Sequence, residues 1–347
     1  MANIYVGLSG GVDSATSAAL LKEQGHNVTG VFIKIWQPEF IECTWREDRL
    51  DAMRVAASLG IPFREIDLSA AYKKEVVDSM IRDYQAGITP NPDVLCNSSI
   101  KFGAFKVWAL TEGADAVATG HYAQTINGKL FRGADTNKDQ SYFLYQLLST
   151  DLEQIIFPIG HLTKTQVRKK AERLCLPVAH KQDSQGLCFI GDVSLEDFLR
   201  RFIELAPGVV TDIHGSVIGK HRGAALYTIG QRHGFTITDA PTAHIPYYII
   251  AIDTETNVVA VSPERTEAMR SSISIRDLRW IRGAPRPSTK LQVQVRYRTD
   301  CVGAKLSTDA TNCELESPQI CSPGQSIVFY SEMECLGGAI IERFARM

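Results

Sequence analysis

Residues 3–25 constrain this chain more than any other stretch. Asn3-Ile4-Tyr5-Val6-Gly7-Leu8 is a short apolar run with the character of a buried parallel strand. Ser9-Gly10-Gly11-Val12-Asp13-Ser14 follows at once. The Ala- and Leu-rich stretch from Ala15 to Gln24 then has helical character and stops at Gly25. A strand that feeds a glycine-bearing turn and a helix aims backbone N–H groups and a positive helix end at an anion. Gly10 and Gly11 let the main chain close around phosphate oxygens with no Cβ in the way. Ser9 and Ser14 add hydroxyl donors. Asp13 would repel a bare phosphate, so its expected work is to cap the helix or to help hold Mg²⁺.

The turn is not the Walker pattern, because it lacks the lysine that reaches the outer phosphates. It resembles the SGGxDS loop of the ATP pyrophosphatase (PP-loop) superfamily. That resemblance implies cleavage of ATP between its α and β phosphates.

Further along, β-rich runs alternate with helical ones. Strands are expected at Val28 to Ile35, Phe63 to Ile66 and Asp115 to Thr119. Helices are expected at Glu47 to Leu59, with Leu50, Met53 and Ala57 on one face, and at Ala71 to Gln85, with Tyr72, Val76, Met80 and Tyr84. Lys101 to Glu112 and Ser141 to Leu148 also have helical character. Thr163 and Gln166 have capping-box spacing before a basic helix carrying Lys164, Arg168, Lys169, Lys170 and Arg173. Phe198 to Leu205 closes the helical part. Alternation of this kind predicts an α/β fold with a doubly wound parallel sheet and ligands at the carboxyl ends of its strands. The Ser9–Ser14 turn and Gly120-His121 both fall on that edge.

Pro207-Gly208 marks a boundary, after which helical periodicity fades. Strands are expected at 209–217, 247–253, 258–261, 291–297, 302–306 and 326–330. The expected organisation is a catalytic domain over 1–204, a small β-rich central domain over 205–265 and a C-terminal β-barrel over 266–347. No apolar run is long enough to span a bilayer, and the first strand begins too early for a leader peptide, so the expected setting is the cytoplasm without membrane contact. The net charge of −2 means that any nucleic acid must be held by local patches. Such a patch could form from the 164–173 helix together with Arg276, Arg279, Arg282, Arg286, Lys290, Arg296, Arg298 and Lys305.

Two of the eight cysteines stand out. Cys96 lies in Asn91-Pro92-Asp93-Val94-Leu95-Cys96-Asn97, a proline-fixed turn leading into a helix. Cys188 lies in Gly186-Leu187-Cys188-Phe189-Ile190-Gly191. Both have polar and glycine neighbours, where a thiol can be exposed. A helix start would lower a thiol's pKa from its usual value of about 8.5. Asp93 is one helical turn from Cys96 and could accept a proton there. The alternative for each cysteine is a small buried apolar residue. No cysteines or histidines have zinc spacing, so no metal centre of that kind is expected.

Eight motifs then occur in order: Gly7 to Ser14, Thr89 to Asn97, Ala118 to Tyr122, Asn137 to Leu144, Gly186 to Gly191, Tyr227 to Arg232, Arg296 to Arg298, and Pro323 to Gln325. Together they resemble the bacterial tRNA-specific 2-thiouridylase family over essentially the whole chain. The resemblance implies a sulfurtransferase that uses Mg²⁺ and ATP to convert the wobble uridine of certain tRNAs, of the Lys, Glu and Gln type, to 2-thiouridine. A cysteine desulfurase or a persulfide relay protein would donate the sulfur. Gly7, Leu8, Ser9, Gly10, Gly11, Val12, Asp13, Ser14, Ile33 and Gly120 would contact ATP. Asn91, Pro92 and Asp93 would meet the target base. Cys96 would be the nucleophile and Cys188 the persulfide carrier, and the two would end as a disulfide. His121, Lys138, Asp139, Gln140, Arg296, Tyr297 and Gln325 would contact tRNA. For His121 a structural, hydrogen-bonded role stands equally open.

The chain departs from the family pattern in places. Ile33 stands where methionine is usual. His233 to Thr238 replaces a glycine-rich run, and Pro246-Tyr247-Tyr248 replaces a Trp-Tyr pair. Cys301 sits in a loop that often lacks cysteine. Residues 238–246 are a candidate mobile loop. Two other readings compete: an ATP pyrophosphatase-type ligase with an amine nucleophile, which has no need of paired cysteines, and a tRNA-binding protein without catalysis, which has no need of Asp93, Cys96 and Cys188.

Overall fold

A computed structural model describes residues 1–40, 45–183, 193–238 and 245–342. Cys188 and most of the 238–246 stretch lie outside the described residues. The first strand, Asn3–Gly7, is flanked by Asn27–Lys34 and then Phe63–Asp67 on one side, and by Ala116–Ala118 and then Ile155–Ile156 on the other. All four pairings are parallel. The strand order therefore reverses at the first strand, and a crevice opens between it and Ala116–Ala118, at their carboxyl ends. The strands are apolar because helices cover both faces: Ile4, Val6, Val31 and Val117 have no accessible surface.

Helix Trp45–Leu59 does not bury the face expected from its larger residues. Leu50 and Met53 are exposed, while Ala52, Val55 and Ala56 pack on the sheet. Small residues let the helix lie close to the strands beneath it. The helix expected at Ala71 to Gln85 runs over 69–85, with one π-helical turn at Lys73–Val77. The helix expected from Lys101 begins earlier, at Pro92, and continues to Thr111. Its middle, Cys96–Phe105, winds as a π-helix. A Cβ on Gly103 would lie 2.8 Å from the carbonyl oxygen of Ser98, five residues back, so glycine there suits the wide winding. Ser141 to Leu148 forms only the 3₁₀ turn Ser141–Leu144, and the last helix is Leu195–Leu199, capped by the Ser194 side chain.

The central part is a five-stranded sheet with Gly208–Thr211 at its middle. The C-terminal part is a closed six-stranded antiparallel barrel. Met269–Trp280 closes it by pairing with both Asn312–Ile320 and Glu334–Ile341. A hairpin from the first domain, Ala123–Ile126 with Lys129–Arg132, adds to the barrel wall through Leu130 opposite Cys335. Leu130, Tyr142, Val328, Tyr330 and Cys335 accordingly share one core. Among the described residues, no helix is long and apolar enough to cross a membrane.

Candidate active site

The loop after the first strand is held by its own side chains. Ser9 N donates to Ser14 Oγ at 3.2 Å, the two hydroxyls lie 3.2 Å apart, and Ser14 Oγ donates to the Gly11 carbonyl at 3.1 Å. Gly10 has φ +74°, and a Cβ there would lie 2.4 Å from the Asp48 carbonyl oxygen. Only glycine fits both demands. Gly11 is the N-cap of helix Val12–Glu23 and makes no side-chain cap bond. Asp13 therefore does not cap the helix. Its carboxylate accepts from Tyr122 Oη at 2.8 Å and from Lys164 Nζ at 2.8 and 2.9 Å.

Gly120 forms the opposite wall. A Cβ there would lie 2.7 Å from Ser14 N, so strand end and helix start touch. Ile33 lines the same edge, with Cδ1 3.7 Å from where a Cβ on Gly7 would stand. It also packs against the cluster that contains Cys96. The anion loop and Cys96 thus border one apolar floor.

Cys96 is buried, at 7% exposure, inside a continuous helix. The expected exposed loop is not there. Cys96 lies a full turn beyond Pro92, the first residue of that helix. Asp93, at the start of the same helix, has its carboxyl pushed up by burial, an effect partly opposed by the Lys101 ammonium.

Lys101 also approaches His121 Nε2 at 3.4 Å, and His121 Nδ1 lies 2.7 Å from Thr119 Oγ1. An ammonium can only donate, so Nε2 accepts and Nδ1–H donates to Thr119. Burial, aided by Lys101, holds the His121 pKa well below the usual histidine value. His121 is buried between Phe102 and Phe157. Its polar atoms are spent inside the protein.

The Thr89–Asp93 segment is stapled from both β domains. Thr89 N donates to Pro323 O at 3.0 Å. Gln325 Nε2 donates to the carbonyls of Thr89 at 3.0 Å and Pro90 at 2.9 Å. Thr89 and Thr228 hydroxyls lie 3.2 Å apart. A cavity of about 210 Å³ opens here, lined by Thr89, Thr228, Arg296, Ser322 and Gln325 among others. Tyr297, beside it, packs on Phe143 with ring centroids 4.4 Å apart.

The Lys138-Asp139-Gln140 turn looks inward as well as outward. Asp139 is buried and accepts from Gly133 N, Ser141 N, Ser141 Oγ and Arg132. Gln140 Oε1 accepts from Tyr122 N at 3.0 Å. Lys138 Nζ pairs with Asp183 at 2.8 Å. Asp183 is a hub that sequence reasoning missed: Lys164 and Arg168 also reach it, at 2.7 and 2.8 Å. Burial would raise its pKa, but the bonds from Lys138 and Lys164 prevail and hold it at about 2. The basic helix Lys164–Arg173 is therefore not one solvent-facing surface. Residues 164 and 168 are one helical turn apart and share the face that meets Asp183. Lys169 and Arg173 stay exposed, as do Arg276, Arg279, Arg282, Arg286, Lys290, Arg296, Arg298 and Lys305. Among the described residues, no group of three or more His, Cys, Asp or Glu could hold a metal ion.

Residues 2–192 match the family model of the tRNA methyl transferase HUP domain. Residues 196–263 match its PRC-barrel domain, and 270–341 match an aminomethyltransferase β-barrel domain. The class is thus a HUP-domain enzyme with two appended β modules. Its relatives are more specific. The chain is 46% identical to the tRNA-specific 2-thiouridylase MnmA of Nitrosomonas eutropha, covering 97% of this chain and 98% of that one. It is 43% identical to the protein of that name from Salmonella arizonae, covering 98% and 96%, and 40% identical to that of Alkaliphilus oremlandii, covering 99% and 98%. The chain belongs to the tRNA-specific 2-thiouridylase family of sulfurtransferases.

Proposed function

We propose that the protein thiolates C2 of the wobble uridine in tRNA at the expense of ATP. The observation that carries this reading is the shared crevice floor: the Ser9–Ser14 anion loop and Gly120 stand on opposite walls, and Ile33 on the same edge packs against the cluster that holds Cys96, one helical turn from Asp93. ATP would lie with its phosphates on the loop and its base toward Ile33. Asn91, Pro92 and Asp93 would receive the uridine, which must leave its stack to enter. The exposed arginines of the barrel, with Tyr297, would track the tRNA backbone. Asp139, Gln325 and His121 would support tRNA from beneath, since the Asp139 carboxylate, the His121 ring nitrogens and the Gln325 amide nitrogen are bonded within the protein.

Chemistry would begin with attack of the uracil C2 oxygen on the α-phosphorus. The bond to the β-phosphate breaks and pyrophosphate leaves with the electron pair. Asp93, whose raised pKa suits proton exchange, would take the N3 proton of the base. The terminal sulfur of a Cys188 persulfide would then reach C2, and AMP would leave with the former C2 oxygen. Cys96 attacks the Cys188 sulfur, either in this step or beforehand to liberate hydrosulfide. In both routes the sulfane sulfur is reduced, a Cys96–Cys188 disulfide forms, and a cellular dithiol must reopen it. Magnesium would travel on the ATP phosphates and water, because Asp13 is already ion-paired and, among the described residues, no group of three or more His, Cys, Asp or Glu offers it a site.

The test is nucleoside mass spectrometry on unthiolated tRNA incubated with protein, Mg-ATP and a sulfide source. The reading expects 2-thiouridine only with ATP. Pyrophosphate release without 2-thiouridine, in the presence of a persulfide-loaded donor, would contradict it.

A further inference from the structure

The anion loop carries no lysine of its own, yet a lysine from elsewhere stands on it. Lys164 opens helix Lys164–Arg173, and its Nζ bonds both carboxylate oxygens of Asp13, inside the first turn of the helix that follows the loop. The side chain is 13% exposed, so the ammonium is held at the crevice and away from bulk water. Lys181, another lysine near this margin, is shared by Asp48 and Asp51 and serves the helix behind Gly10, and Lys138 is held on Asp183. Asp135 fixes the backbone of Lys164 by accepting from its N–H at 2.9 Å.

The partners of Lys164 leave it free to change hands. Asp183 keeps Lys138 and Arg168 if Lys164 withdraws. Asp13 keeps the hydroxyl of Tyr122. Neither carboxylate would be stranded, which is the usual obstacle to moving a buried ion-pair partner. A terminal phosphate carries more charge than the Asp183 carboxylate, and residues 9–14 carry no lysine or arginine of their own.

We propose that Lys164 is the phosphate-binding lysine that the loop lacks. It keeps Asp13 and exchanges Asp183 for an oxygen of the β- or γ-phosphate, and so holds the group that leaves as pyrophosphate. Asp13 then needs no metal to sit beside phosphate, because Lys164 neutralises it. This inference rests on the ATP reading above and extends it to a residue outside the loop.

Isothermal titration of the full-length protein with Mg-ATP, AMP and Mg-pyrophosphate tests it. Lys164→Gln should weaken ATP and pyrophosphate at least tenfold and leave AMP within twofold of wild type. Lys164→Arg should recover most of the pyrophosphate affinity, and Lys169→Gln, on the exposed side of the same helix, should bind all three normally. Equal losses for AMP and pyrophosphate would mean a merely structural lysine, and unchanged pyrophosphate binding would refute the assignment. A wild-type protein that binds neither ATP nor pyrophosphate would instead remove the underlying reading. Acylation footprinting of the wild type reads the same point without a variant. Pyrophosphate should protect Lys164 and AMP should not; protection by neither, or by both alike, overturns the proposal.

Discussion

Gln325→Ala tests whether the barrel sets the geometry of the base-binding turn. The amide of Gln325 reaches across domains to the carbonyls of Thr89 and Pro90, the two residues before Asn91-Pro92-Asp93. Gly324 beside it has φ +87° and no room for a side chain, since a Cβ would lie 2.0 Å from Ile88 Cγ2, so the contact is close and fixed. Each neutral hydrogen bond contributes roughly 0.5–1.5 kcal/mol net, which makes the pair worth about 1–3 kcal/mol. If that energy maintains the turn for the uridine, kcat/KM for tRNA should fall roughly 5- to 150-fold, at a factor of ten per ~1.36 kcal/mol. The KM for ATP should stay put, because no bond from Gln325 touches the Ser9–Ser14 loop. Single-turnover thiolation over a range of tRNA concentrations, with ATP dependence measured in parallel, reads both quantities. A tRNA kcat/KM within twofold of wild type would refute the coupling. So would a parallel loss for ATP, which would signal general loosening of the domain.

Other consequences follow from the same site. Cys96→Ala and Cys188→Ala should each abolish 2-thiouridine while tRNA-dependent pyrophosphate release persists; thiolation surviving either change would end the two-cysteine scheme. His121 should stay neutral with its proton on Nδ1 well below pH 6.5, as read by imidazole nitrogen chemical shifts, and a titration near 6.5 would contradict its buried bonding. Because the unfolded chain takes up that proton more readily, His121 should cost stability as pH falls below about 6.5. Asp183 works in the same sense at lower pH, because its folded value too lies below its unfolded one. Its contribution is complete above about pH 4 and is lost as pH falls toward about 2. It amounts to about 2 kcal/mol at ~1.36 kcal/mol per pKa unit. Asp183→Asn should therefore be less stable than wild type at pH 7 in urea, with the gap closing between pH 4 and 2; a gap independent of pH would rule out the ionic origin.

The anion loop was legible from sequence because its chemistry is local: glycines, hydroxyls and a following helix within fourteen residues. The parallel strands were legible because burial on both faces leaves continuous apolar runs. Met269–Trp280 was not, since bulges between Arg270 and Ser272 and between Arg276 and Arg279 break its alternation. The hairpin at 123–132 could be sensed as a turn at Asn127-Gly128, but nothing local says that its partner is a strand two hundred residues on. Cys96 stood out in the sequence as part of a motif, while its burial depended on Ile33, Tyr72 and Phe198 arriving from three other elements. Lys164 and Asp183 escaped notice for the same reason. In sequence, one belongs to a basic run and the other to an ordinary polar turn, and only the fold sets Lys164 between Asp183 and Asp13.

The account turns on activation of the C2 oxygen by transfer of AMP. Oxygen tracing tests that step most directly. A tRNA carrying ¹⁸O at C2 of the wobble uridine should yield ¹⁸O-labelled AMP in step with 2-thiouridine, because the C2 oxygen leaves on the phosphorus. Unlabelled AMP, with thiolation still dependent on ATP, would show that ATP activates something other than the base.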